Sequence, residues 1–218
     1  MKNFLFLSLC LLFPLSLLAS TIDDFFVKIP DEYYMFQPKE SRVELVKEYK
    51  NNDNSGVSNR FGGETYLLDM DTINNFLRLR NTQISTLEMK LWQTKDGKQL
   101  VGLNITTCVP LCDSNIGFFT EDWQYVKESI LPHIGIIDFL DTQRIVADGR
   151  KTEDIIAAFD IVFFQYIFPK QGTEIVVELL FDKKIDDESV HSLLSYLKGT
   201  KLSFVWKNDV FEKGEILR

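Results

Sequence analysis

Cys108 and Cys112, in TTCVPLCDS, are the pair of side chains in this sequence best placed for covalent chemistry. Their spacing is not the Cys-x-x-Cys of a redox dithiol. A zinc site needs about four ligands, and His133 and His191 each stand alone. In an oxidising compartment the expectation is a disulfide, with free thiols as the alternative. It would close a short ring around Pro110 whose loop entropy contributes only about 2 kcal/mol, so its role would be to fix a turn.

Asp69 and Asp71, in LLDMDT, form an Asp-x-Asp pair at a strand end. Strand alternation puts both carboxylates on one face, where they could hold calcium or act as paired acids of a hydrolase. Thr72-Ile73-Asn74 supplies none of the further ligands of a calcium loop, and a solvated strand end is the plainer reading. Asp138 and Asp141 could form a second acid pair but read more plainly as helix caps or surface residues, and Asp186-Asp187-Glu188 as the negative first turn of a helix. There is no Gly-x-Ser-x-Gly elbow and no His-Glu-x-x-His. No Lys-Ser/Thr follows Gly62-Gly63, which therefore reads as a turn. No catalytic residue, metal or cofactor is assigned. The remaining candidates are aromatic. Phe118, Phe119, Trp123, Trp92, Phe163 and Phe164 lie on or beside strands, so neighbours point to opposite faces. They pack under helices, or some of them, Phe119 and Trp123 foremost, form a platform for a sugar, lipid or peptide.

The elements that position these groups fall into blocks. Thr21 with Asp24 opens a helix whose Ile22, Phe25, Phe26 and Ile29 share one face, and Pro30 ends it. Ser41 with Glu44 signals a second helix. From Gly63 the period changes to two, through TYLLDM, NNFLRLR, TLEMKLW, QLVGLNIT and NIGFFTEDW. In TLEMKLW, Leu87, Met89 and Leu91 alternate with Glu88 and Lys90, which predicts a strand with one wet face. Lys95-Asp96-Gly97-Lys98 is a hairpin turn. The apolar stretch 130–150 contains Pro132 and Gly135, is hard to place, and marks a possible sub-boundary. Beyond it come a short helix after Thr152, two strands flanking PKQG, a helix from Asp186 or Asp187 to Lys198, and a closing strand KLSFVWK. Strands and helices are segregated, which predicts an α+β fold: an antiparallel meander with helices packed on it, possibly in two β-rich halves.

The first twenty residues are an address. Lys2, the uncharged apolar run Phe4 to Leu18, and small Ala19 and Ser20 make a secretory signal peptide. The run falls short of the roughly 20 residues of a membrane-spanning helix. Leu9 precedes Cys10 and the apolar run continues past it, which excludes lipidation there. The expected organisation is therefore a signal peptide over 1–20 and one exported domain over 21–218, periplasmic or secreted, without a transmembrane segment after cleavage. The chain carries 24 basic and 32 acidic side chains, a net charge of −8. That balance argues against nucleic-acid binding, which needs Lys and Arg to neutralise phosphates. Hydrophobic content of 45% with 18 Phe excludes a disordered chain.

In order, the leader, the helix ending at IPDEYY, NRFGGETYLLDM, LEMKLW, TTCVPLCDSNI, FFTEDW and LSFVW run through nearly the whole mature chain. This pattern resembles a family of exported proteins from anaerobic gut-type Gram-negative bacteria, the domain-of-unknown-function family numbered 3256. The resemblance implies export and one shared architecture, and it supplies no catalytic residues. The expected role is a non-catalytic binding or accessory protein of the cell envelope whose partner is an envelope protein, a glycan or a lipid. The alternative is an envelope hydrolase using Asp69 and Asp71.

Overall fold

The computed structural model describes residues 20–52, 55–159, 161–181 and 193–217. Residues 1–19, which hold the expected signal peptide, and His191, Asp186, Asp187 and Glu188 lie outside the described residues.

The period-two stretch folds as a six-stranded antiparallel sheet, β1 (Val57–Ser58), β2 (Glu64–Asp71), β3 (Phe76–Arg80), β4 (Ser85–Gln93), β5 (Gln99–Cys108) and β6 (Cys112–Phe119). Its spatial order is its chain order, as a meander requires. The β4–β5 turn carries Gly97 at φ +80°, a left-handed conformation that glycine adopts without strain. Cys108 and Cys112 lie opposite each other at the end of the β5–β6 ladder and are joined by a disulfide.

Alternation along β4 and β5 gives this sheet two apolar faces with different covers. Leu87, Met89, Leu91, Val101 and Leu103 pack under α1 (Ile22–Lys28) and α2 (Lys39–Lys50), against Ile22, Phe25, Phe26 and Leu45. The Asp24 carboxylate accepts the Thr21 amide at the start of α1 (3.1 Å), and Lys50 ties α2 back to Asp23. α2 begins at Lys39, two residues before the Ser41 cap that the sequence suggests, with Pro38 at the cap position. The guanidinium of Arg42, almost fully buried, donates to the carbonyls of Val27, Ile29 and Gln37 and to Asp31. It thereby gathers the linker between the two helices around one charge.

The opposite face, which the sequence assigns to water, is covered by a second antiparallel sheet. Its strands are β7 (Val162–Ile167), β8 (Ile175–Phe181), β9 (Lys201–Lys207) and β10 (Val210–Leu217), in the order β10-β9-β8-β7. Glu88 and Lys90 are consequently buried rather than solvated. Trp92 sits between the sheets against Phe168 and Phe211 and donates its indole N–H to the Thr173 carbonyl (2.9 Å). Gly102 is required beneath it, since a Cβ there would lie 2.6 Å from the Trp92 ring. KLSFVWK does not close the chain: β10 follows it through Asn208 and Asp209, both at positive φ, the geometry of a tight hairpin turn. The stretch 130–150 becomes an extended segment, a 3-10 turn (Ile136–Phe139) and α3 (Thr142–Ala147), followed by α4 (Thr152–Ala158). Phe139, Ile145 and Ile155 join Val177, Leu202 and Phe204 in the second core.

Polar side chains on the first sheet hold the second one in place. The Glu88 carboxylate on β4 accepts the Phe168 amide (3.0 Å), and the side-chain amide of Asn104 on β5 donates to the Tyr166 carbonyl (2.7 Å). Ser114 Oγ on β6 accepts the Tyr166 amide (3.0 Å). Residues 166–168 therefore step across β4, β5 and β6 rather than running alongside them. Burial pushes the Glu88 carboxyl above its ordinary range, outweighing the Phe168 amide, Arg78 and Asn104, which pull it down.

Three outcomes follow. A carboxyl with a raised folded-state pKa stabilises the fold fully at pH below its ordinary value, and that contribution is lost as pH rises through the folded value. Glu88→Gln keeps an acceptor for Phe168 without the charge. Its stability relative to wild type is expected to be highest at pH 7 and to decline towards pH 4.5 in urea unfolding. A deficit that grows as pH rises would show instead that the charge stabilises through Arg78. Glu88→Ala strands the Phe168 amide and should cost about 1–3 kcal/mol at both ends of that range. Replacing Cys108 and Cys112 together with Ser should cost about 2 kcal/mol or less, because the ring is so short. A loss near 5 kcal/mol in the same assay would give the disulfide a global role.

Candidate functional site

At the outer side of β6 a groove of about 590 Å³ lies between the two sheets. Ile116 and Phe118 of β6 form one wall, Phe164 and Tyr166 of β7 the other, and the extended segment 125–134 the rim. The groove exists because that segment pairs with β6 only briefly. Thr120 N–H donates to the Gln124 carbonyl (3.0 Å) and Val126 N–H to the Phe118 carbonyl (2.9 Å). The chain then turns away, and the Phe211 amide of β10 takes the Ile130 carbonyl (2.8 Å).

The floor is apolar, with Ile116, Ile130 and Ile134 converging on the second core. Ser114 Oγ is engaged by Thr106 Oγ1 (2.8 Å) as well as by Tyr166. The Tyr166 phenol is pushed up first by burial and then by the nearby Asp113 carboxylate. Tyr125 is 54% exposed at the rim, beside exposed Lys127, Glu128 and His133. No hydrogen bond joins His133 to Ser114 or Tyr166 among the described residues, so the groove contains hydroxyls and a histidine without a nucleophile–base pair. It combines an apolar trough, aromatic walls and a polar rim. A second hollow of similar volume, lined by Leu111, Leu180, Phe181, Leu194 and Leu197, offers little polar chemistry, and a smaller one at Asp96, Glu121 and Asp122 is acidic. Among the described residues, no three His, Cys, Asp or Glu side chains converge as a metal site would require.

The residues that the sequence singles out are dispersed around the fold. Asp69 sits at a bulge in β2, and both its oxygens accept from Lys170 Nζ (2.7 and 3.0 Å), an ion pair between the sheets. Asp71 closes the β2–β3 turn by accepting the Ile73 and Asn74 amides and the Asn74 side chain. These bonds, the Asn74 side chain first, hold its carboxyl below the usual range. Each carboxylate is committed to holding structure, and neither lines the groove. Phe119 and Trp123 are buried in the helix-side core, with Phe119 4.5 Å from the Tyr33 ring, so they do not form an exposed platform. Asp138 caps the 3-10 turn through the Gly135 amide and pairs with Lys213, while Asp141 caps α3. Ser114, Ile116 and Tyr166, which do line the groove, stand in DSNIGF and FFQYIF, where alternation alone does not show which face stays open.

The profile of the family described as "Protein of unknown function (DUF3256)" matches residues 14–211. A comparison with curated proteins found no match. Among solved structures, a domain of an uncharacterized protein from Porphyromonas gingivalis W83 is similar, with a TM-score of 0.69 at 18% identity. The alignment covers 88% of this chain and 97% of that one, a likeness of fold. Among the described residues, no helix is long and apolar enough to cross a membrane. With a family match over most of its length, this chain belongs to the DUF3256 family of proteins of unknown function.

Proposed function

We propose that this protein is an exported, non-catalytic binding or accessory protein of the bacterial cell envelope, and that the groove between β6, β7 and residues 125–134 is its ligand site. The observation that carries this reading is the groove itself, an apolar trough of about 590 Å³ with Tyr125, Lys127 and Glu128 at its rim. Export is supported by the basic start, the apolar run Phe4 to Leu18 and the small residues after it. The disulfide fits an oxidising compartment. The similar domain comes from a bacterium, in keeping with a bacterial envelope setting. Asp69 and Asp71 favour no hydrolase, since a lysine and a turn occupy them.

The full chain should be expressed in a Gram-negative host and recovered from the periplasm, with a mature N-terminus at Ser20 or Thr21. The product is then titrated with three probes, followed by amide NMR: synthetic peptides, peptidoglycan fragments, and dodecylphosphocholine. At least one class should shift Ile116, Ile130 and Tyr166, and Phe164→Ala should weaken it about tenfold. Retention of an uncleaved product in the cytosol would overturn export. Three titrations that leave the groove resonances unmoved would overturn the site.

A further inference from the structure

The β6 wall of the groove is an open strand edge. In an antiparallel ladder, alternate residues direct both N–H and C=O to the same side. Gln124–Val126 engages Phe118 O and Thr120 N from outside, so the even-numbered residues of β6 point their backbone groups outward. Ser114 and Ile116 are next in that row. Their amides and carbonyls have no partner among the described residues, because the rim segment has already turned off towards β10. The protein has thus laid the first stretch of an added strand on this edge with its own chain, and no described residue continues it.

The side chains of that row face the groove. Ile116 and Phe118 both pack on the second core, so an extended chain added beside them would set every second side chain over Ile116, Ile130 and Phe164. The vacant end has a charge of its own. Asp113 makes no ion pair among the described residues, and its carboxylate field reaches the Tyr166 phenol. A cationic side chain on the incoming segment would complement it.

We propose that the groove takes an extended polypeptide segment of a partner protein, which adds as a strand along Ser114–Phe118, places alternate apolar side chains in the trough and sets a Lys or Arg near Asp113. This inference rests on the groove being the ligand site and names its ligand class. Recognition of this kind takes affinity from main-chain hydrogen bonds and specificity from pockets for alternate side chains.

The probe is a set of capped synthetic nonapeptides alternating Val or Leu with Thr, carrying no, one or two Lys. Lysine-bearing members should bind the periplasmic protein, protect the Ser114 and Ile116 amides from hydrogen exchange, and weaken several-fold with Asp113→Asn. N-methylation of the peptide residues that face β6 should abolish binding, while N-methylation of the alternate row should not. That contrast needs no change in the protein. Ile116→Pro removes an outward N–H at an edge position where proline is tolerated, and should reduce affinity at least tenfold. If non-peptide probes shift Ile130 and Tyr166 but no peptide protects the edge amides, strand addition fails while the groove stands. If both N-methyl series bind equally, strand addition also fails. A concentration-dependent dimer that Ile116→Pro abolishes would overturn the partner in favour of self-pairing.

Discussion

The architecture depends on how the outer edge of β7 is satisfied. A strand edge buried against another layer must find partners for its amides and carbonyls, or each costs the desolvation of a peptide group. Among the described residues no further strand supplies them. Glu88, Asn104 and Ser114, one from each of three neighbouring strands, reach up from the first sheet and take the Phe168 amide, the Tyr166 carbonyl and the Tyr166 amide. Those three bonds fix where β7 crosses the first sheet. Because β7 lies over the face of that sheet instead of extending it, β6 stays at the margin, and among the described residues its edge is paired only near Phe118 and Thr120.

The two covers of the first sheet are held by different physics. On the helix side, contacts among Leu87, Met89, Val101, Phe25 and Phe26 are non-directional and tolerate small shifts. A directional restraint there is Arg42, whose fork gathers the carbonyls of Val27, Ile29 and Gln37 and so ties the linker to α2. On the sheet side, burial of Trp92, Phe168 and Phe211 is combined with the polar seam, which accepts only one register. Sliding β7 by one residue would present side chains where amides are needed, so the seam contributes specificity as well as energy.

This arrangement explains what the sequence could and could not disclose. The five-strand meander is legible because period two and the Asp96-Gly97 turn are local properties, and α1 because its cap and apolar stripe are local too. The second sheet as a cover is not legible. Glu88 and Lys90 alternate with apolar residues as in a wet-faced strand, and nothing nearby in the chain shows that Phe168 and Asn74 consume them. Alternation reports polarity, whereas burial depends on residues some 80 positions away. Asp71 has the same ambiguity in reverse: a carboxylate two residues after another looks like paired acids, and the bonds that claim it come from a turn. Phe119 and Trp123 look like an exposed platform because aromatic character does not specify the face. The groove is harder still, since it is made by residues 125–134 leaving β6, an event of tertiary structure without a sequence motif.

Why the vacancy lies on β6 can be argued from the other edges. Two sheets have four, and exposed edges invite unwanted pairing unless blunted. β1 is two residues long, too short to template a partner. β10 carries Glu212, Lys213 and Glu215 and a register shift after Lys213, so charge and irregularity guard it. The polar seam engages β7 at Tyr166 and the chain just after it at Phe168. β6 has neither proline nor a run of charge between Ser114 and Phe118, and its hairpin is stapled by the disulfide immediately before that stretch. Among the described residues the outward row at Ser114 and Ile116 carries no such guard, although a single lysine would blunt it at little cost. An edge kept available beside an apolar trough is what recognition of another chain requires.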